Sequence, residues 1–382
     1  MEEQKPLDFN IPSLVEGLIP KPQAPPKVPS MLETVGMVES TLKAHFEIKD
    51  WEGIRIILAI SAAHYIPGEP LWVRIVGGSR SGRTELLRAL IKDEDSTEME
   101  ALTPASIRGG LRGGAKVLDR VNEKRVITKD LVPLITTRKD IRLEIFGLLR
   151  SVKDGSLSSD FGTAEGHIQQ EGTFDWILAV TPLIESIRQV ESLLGERFID
   201  LQWIAGNREE MAYRAAQNNP HLKSIREELS ASVCSLLSRA KKVAKDKMPT
   251  LNEDEIRLIA KWADSTTLCR SPVDKDRFGH IQSMPKPESP TSMAQDFQRI
   301  ALGLKLIGIE EWQPYLQRLA WDCIPSVRAT ILRSLIASHT EKEIQSITGL
   351  SQTTINYHLN DLRLLKIIRK EGDKAVLQVK LP

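Results

Sequence analysis

Apolar positions along the chain follow two rhythms. Short runs rich in apolar residues end in turn-forming or polar residues: Leu71–Val76 before Gly77, Phe174–Val180 before Thr181 and Pro182, and Phe198–Trp203, while the more polar Glu123–Val132 reads as a short strand ending in an acid at Asp130. Runs this short predict strands buried on both faces. Elsewhere apolar residues recur every three or four positions, over Leu32–Phe46, Trp51–Tyr65, the stretch following Arg83, and Ile141–Ser151, and predict helices. Strands alternating with helices predict an α/β fold with a parallel sheet covered on both sides, and ligands beyond the strands' carboxyl ends. Glu98–Arg112, with its Thr-Pro pair and double glycine, reads as a turn and a surface loop. The polar, glycine-rich stretch 154–172, with Phe161-Gly162 and the nearby bases Arg150 and Lys153, reads either as a DNA-facing hairpin or as a surface loop with no special task.

Further along the pattern changes. Arg208–Ala263 is helical, Cys269–Pro290 is a polar break carrying Pro272, Pro285, Pro287 and Pro290, and residues 291–321 return to helix. The last sixty residues predict a winged helix-turn-helix. Ser326–Ser338 is an amphipathic helix, and a second is opened by Thr340 with Glu343 three positions on, a capping box. Thr348-Gly349-Leu350 makes the turn, and Ser351–Leu362 is the third helix. Ile344, Ile347, Leu350, Ile355, Leu359 and Leu362 form its predicted buried seam. Two strands about a Glu-Gly-Asp-Lys turn, from Ile367 to Leu381, make the wing. Gln352, Thr353, Asn356, Tyr357 and His358 would face a major groove, with Arg363, Arg369, Lys370 and Lys374 on phosphates. Folds of this kind also serve as protein-docking modules. The resulting division is a Pro-rich arm over 1–31, an α/β core with a helical preface over 32–205, a helical lid or connector over 206–321, and the winged helix-turn-helix over 322–382.

Composition narrows the class. The net charge of +1 over 382 residues excludes a globally basic coat, so any DNA contact must come from a local patch. No run of about 18 apolar residues is present to span a membrane. Three cysteines, Cys234, Cys269 and Cys323, fit neither a zinc spacing nor a disulfide framework, and the opening Met-Glu-Glu-Gln-Lys-Pro is unlike a secretory signal; a cytoplasmic location is expected. Seven prolines between Pro6 and Pro29 suggest an arm that is disordered or docks a protein partner.

The chemistry concentrates after the first strand. Gly77-Gly78-Ser79-Arg80-Ser81-Gly82-Arg83-Thr84 matches the phosphate-loop pattern G-x-x-x-x-G-K-[ST] at every defined position except the lysine, which is Arg83. The glycines let the backbone bend round phosphates, and the helix that follows turns its free N–H groups and positive dipole end toward them. Thr84 can then ligate Mg²⁺, and the cation at 83 can reach the β- and γ-phosphates of ATP. Asp130, about 50 residues on at the end of a buried strand, is placed to hold the same Mg²⁺.

With the loop, Asp130, Thr181 and Glu196-Arg197-Phe198 in order, the chain resembles AAA+-type P-loop ATPases. It is most similar to the replication-type ATPases of phages and integrated mobile elements, and distantly similar to minichromosome-maintenance helicases. The resemblance covers roughly residues 70–310 and rests on Thr103-Pro-Ala-Ser106, Val126-Ile-Thr-Lys-Asp130, Leu149-Arg-Ser-Val-Lys-Asp-Gly155, Ala179-Val-Thr-Pro182 and Gly195-Glu-Arg-Phe198. It implies an ATPase whose copies form a ring on DNA, with Asp130 as the Mg²⁺ acid, Thr181 as a sensor of the γ-phosphate, and Arg197 as an arginine finger reaching a neighbour's nucleotide. Arg197 has a plainer reading as half of a salt bridge. Three departures bear on turnover: Arg83 replaces the loop lysine, Leu131 follows Asp130 where a second acid is usual, and Ser292 stands where the lid arginine is expected. The expected function is an ATP-binding, ATP-hydrolysing protein of DNA replication or maintenance; the alternative is a DNA-binding regulator whose nucleotide domain does not turn over.

Overall fold

Four apolar runs and one polar one build an all-parallel sheet. Its strands are β1 (Trp72–Val76), β2 (Ser96–Glu98), β3 (Arg125–Thr128), β6 (Asp175–Val180) and β7 (Ile199–Gln202), in the order β2-β3-β6-β1-β7. Between β3 and β6 the chain makes a separate antiparallel pair, β4 (Ser156–Asp160) with β5 (His167–Glu171). The computed structural model describes residues 29–78, 82–108, 117–160, 167–186, 197–276, 280–371 and 374–382.

Period-two alternation sorts the strand residues onto two cores. Val73, Ile75, Ile127, Ile177, Ala179, Ile199 and Leu201 face one layer of helices, and Trp72, Val76, Val126, Trp176, Leu178 and Val180 face the other. The first layer holds α1 (Met31–His45), α2 (Trp51–Ala63), α3 (Arg83–Ile91), and several helices from beyond the sheet. The second holds α4 (Pro104–Arg108), α5 (Val117–Val121), α6 (Val132–Ile135) and α7 (Lys139–Lys153). Among these apolar residues sits one buried bidentate ion pair between register partners, Arg74 of β1 and Asp200 of β7, at 2.6 and 3.1 Å.

One strand carries no signature in the sequence, and two expectations change. Ser96–Glu98 shows no apolar run, yet it pairs with β3 as an edge strand, which needs only one paired side. The strand expected over Glu123–Val132 is confined to Arg125–Thr128, because Glu123 takes a left-handed turn (φ 56°) and Val132–Pro133 open a helix. Pro104–Arg108 is helical rather than loop, with Thr103 and Ser106 exchanging hydrogen bonds at its start.

Beyond β7 the helices are α8 (Arg208–Asn218), α9 (Leu222–Asp246), α10 (Glu253–Arg270), α11 (Thr291–Leu306) and α12 (Gln313–Asp322). Those from α9 to α12 share one core with α1 and α2. The crossing of α2 and α11 depends on Gly303: a Cβ there would lie 2.3 Å from the Ala59 carbonyl oxygen and 3.1 Å from the Ala63 Cβ. The end of α12 covers the free edge of β7. Asp322 accepts from the Gln202 N–H at 3.1 Å, and the Cys323 sulfur accepts from the Asp200 N–H at 3.4 Å. Burial pushes the Asp322 carboxyl up to about 7, against the opposing pull of Arg318.

The chain ends in α13 (Ser326–Ile336), α14 (Glu341–Thr348), α15 (Gln352–Leu364) and an antiparallel pair, β8 (Ile368–Glu371) with β9 (Lys374–Leu377). Thr340 and Glu343 make the capping box, Gly349 ends α14 in the left-handed conformation (φ 67°), and Ser351 caps α15. Ile344, Ile355, Leu359 and Leu362 are fully buried, and Leu350 packs against them. Ile347, expected in the same seam, is 58 % exposed; α14 is only two turns long and buries Ile344 alone.

Candidate functional site

The sheet's register brings four strand ends to one level. Val76 pairs with Val180 and with Gln202, so Gly77, Thr181 and Trp203 each stand one residue past a paired end. The Gly77 N–H donates to the Val180 carbonyl (3.0 Å), and the Trp203 N–H to the Val76 carbonyl (2.8 Å). On β3, Thr128 pairs with Leu178 and the Leu131 N–H donates to the Ala179 carbonyl, which sets Asp130 beside the same edge. Later strands add on opposite sides of β1, and such a switch point at the carboxyl ends opens a crevice.

Glycine is required at both described ends of the loop. A Cβ on Gly77 would lie 2.9 Å from the Trp203 Cβ and 3.0 Å from the Arg83 Nη1, and Gly82 caps α3 with φ 88°. Gly78 has open space around it. Ser79, Arg80 and Ser81 lie outside the described residues. α3 begins at Arg83, with Thr84 half-buried on its first turn. Glu85, on the same turn, receives both forks of Arg226 from α9 at 2.7 and 2.8 Å, which ties the helix start to the helical layer.

Arg83 is buried, and its Nη1 donates to the carbonyls of Ile75 and Val180 at 2.8 Å each. Burial holds its pKa down to about 10, while the charge of Asp130 works in the opposite direction. No described carboxylate forms an ion pair with it. Its positive charge is therefore fixed at the base of the loop and only partly offset. Asp130 is exposed and accepts from the Val132 N–H at 2.9 Å. Thr181 is half-buried at the end of β6.

Arg197 pairs with Asp154 at 3.2 Å, and its carbonyl accepts from Lys153 Nζ at 2.7 Å. The neighbouring Glu196 lies outside the described residues. Lys153 is buried, held also by Asp296 at 3.5 Å, so the idea that it faces DNA from the 154–172 hairpin is corrected: its stem crosses the core and its charge is consumed there. The hairpin itself forms as β4–β5, and Phe161-Gly162 lie outside the described residues.

Neither protein-family models nor curated protein sequences match this chain.

In the C-terminal region, α15 presents Thr353, Asn356 and Tyr357 to solvent, with Gln352 donating to Asn356 at 3.1 Å. His358 instead turns inward, where burial pushes its pKa down, and lines a cavity of about 300 Å³ against Arg270 and Arg328. Arg363 is shared by Asn360 and Glu341, Arg369 pairs with Glu371, Lys370 is exposed, and Lys374 opens β9.

Sequence reasoning assigned no role to Trp203, Arg226 or Lys275. Trp203 had a usable signal, its place one residue past an apolar run, like Gly77 and Thr181. Arg226 and Lys275 sit in helical or polar surroundings with no local mark, and only the fold brings them to Glu85 and to α15.

Proposed function

We propose that the chain is an ATP-binding protein of the AAA+ P-loop type that acts on DNA through a C-terminal winged helix. The observation that carries the reading is the buried Arg83 guanidinium at the base of a glycine loop, at the start of a helix and at the switch point of a parallel sheet. A polyanion seated on that loop meets backbone N–H groups, the helix dipole and a positive charge already fixed in place. Thr84 and Asp130 are the residues that would hold Mg²⁺. Two inter-strand spacings, about 10 Å, separate β1, which leads through the loop to Thr84, from β3, which leads to Asp130. The metal, when bound, offsets charge on the phosphate oxygens. Thr181 borders the same crevice from the strand between them. Arg197, as a finger reaching a second copy in a ring, would first have to leave Asp154.

Arrangement of α13–α15 and β8–β9 supports the DNA half of the reading, with Thr353, Asn356 and Tyr357 available for base edges and Lys370 for phosphate. A replication or maintenance role for a mobile element, as helicase or loader, follows the family resemblance.

A specific observation favours a second reading, binding without turnover. Arg83 Nη1 is occupied by two strand carbonyls, and Leu131, which stands where a second acid is usual, is buried. Phosphoryl transfer depends on placed charges, and a regulator that switches on nucleotide occupancy needs none of them in motion. Equilibrium binding of a fluorescent ATP analogue, followed by hydrolysis assays with and without duplex DNA, separates the cases. Binding with DNA-stimulated release of phosphate supports the motor, binding alone supports the regulator, and absence of binding sinks both.

A further inference from the structure

The segment Cys269–Lys275 runs from the last turn of α10 toward α11 and joins the start of β7 to α15. At its start, Arg270 donates to the Phe198 carbonyl at 3.2 Å, one residue from Arg197, and pairs with Glu288 at 2.9 Å. Its middle belongs to the C-terminal core: Cys269 and Val273 pack with residues of α13–α15, and Arg328 of α13 donates to the Cys269 and Ser271 carbonyls at 2.6 and 2.8 Å. At its end, Lys275 forms an ion pair with Asp361 and sets its Nζ 3.3 Å from the centre of the Tyr357 ring. Lysine is rarely hidden, yet this side chain is 6 % exposed, as is expected when cation–π and ionic contacts together fix its place. The cavity beside it is lined by Tyr357, His358 and Arg270 and also by Glu185, four residues past Thr181.

We propose that Cys269–Lys275 is a strut that couples DNA contact at α15 to the nucleotide site through the backbone at Phe198. The inference rests on the functional reading above and names its regulation. A shift of α15 on DNA pulls Lys275 through Tyr357 and Asp361, and Arg270 carries that displacement to the Phe198 carbonyl. Phe198 leads directly into β7, and Trp203, one residue past the strand's other end, lies against Gly77. Linkage makes the effect reciprocal, so nucleotide must change DNA affinity by the factor by which DNA changes nucleotide affinity.

The test uses the full chain and two variants, Lys275→Met, which keeps the stem and removes the charge, and Lys275→Arg, which keeps both contacts. Duplex DNA affinity is measured with and without a non-hydrolysable ATP analogue and Mg²⁺. Backbone hydrogen exchange is followed at Tyr357–Leu362 and at Phe198–Gln202 without ligands. Wild type and Lys275→Arg should show a DNA affinity changed about fivefold or more by nucleotide, and Lys275→Met a change under about twofold. In Lys275→Met, exchange should rise at both segments, although Phe198 lies far from residue 275 in sequence. Unchanged exchange at Phe198–Gln202, or full coupling in Lys275→Met, overturns the strut. If wild type binds neither nucleotide nor DNA while the exchange response still spans both segments, the functional reading falls and the mechanical link stands.

Discussion

Replacing Arg83 with glutamine separates an anion-binding guanidinium from one that merely holds two strands together. Two opposing quantities decide the effect on the free protein. Each hydrogen bond from the charged group to the Ile75 and Val180 carbonyls is worth roughly 1.5–3 kcal/mol. Against them, the drop of the guanidinium from its ordinary value to about 10 is equivalent to roughly 3 kcal/mol of buried charge left without an offset. Sign matters here. A base whose folded pKa is depressed carries its full penalty at neutral pH, and the penalty fades only as pH rises through about 10 toward the ordinary arginine value. The two bonds together equal or modestly exceed the penalty, so Arg83→Gln should lower the stability of the free chain by no more than about 3 kcal/mol. With a triphosphate bound, the guanidinium gains the counter-charge it lacks, and losing about 3 kcal/mol corresponds to roughly 100-fold weaker nucleotide binding. Thermal unfolding with and without Mg–ATP reads both sides. Wild type at 100 times its Kd should gain about 2.7 kcal/mol, and the variant at the same concentration almost none. Nucleotide affinity within about threefold of wild type would refute the phosphate role. A stability loss above about 5 kcal/mol without ligand would make Arg83 a structural staple instead.

Three further outcomes test the frame around the site. Gly303→Ala places a methyl group 2.3 Å from the Ala59 carbonyl oxygen; overpacking of about 1–3 kcal/mol or more outweighs the ~1 kcal/mol gained in helix propensity, and an unchanged Tm would mean that α2 and α11 do not cross this closely. Asp200→Ala strands the Arg74 guanidinium in the core and should cost about 3–5 kcal/mol in chemical denaturation, with most of it recovered in the double variant Arg74→Met/Asp200→Leu. Asp322→Asn removes a carboxyl raised from its ordinary value to about 7 by burial, so its advantage over wild type should be near zero at pH 4, grow as pH rises toward 7, and level off above that. A difference that shrinks with rising pH would contradict that placement.

Much of the strand pattern was legible because burial on both faces writes itself as short apolar runs, and β1, β6 and β7 fall inside the expected stretches. So was the capping box at Thr340 and Glu343, whose hydrogen bonds are local and need no knowledge of the fold. β2 was not, since an edge strand of Ser-Thr-Glu carries no hydrophobic signature and depends on β3 for its partner. Ile347 misled for the opposite reason: a helical period marks a face, but a two-turn helix need not bury its last turn. At the site, the glycines at 77 and 82 could be read in advance from the loop spacing. The inward turn of Arg83, the Asp154 partner of Arg197 and the burial of Lys153 could not, because each joins segments that only the sheet's register brings together.

The covering of β7 by Asp322 and Cys323 limits how copies of this protein could associate. Side-chain acceptors already occupy two of that strand's outward N–H groups, and the opposite border, β2, is three residues long. Neither rim offers a long unsatisfied ladder onto which another chain could zip. Copies meeting across the rims of this sheet would therefore be held by complementary side-chain surfaces, which can open and re-form without tearing it.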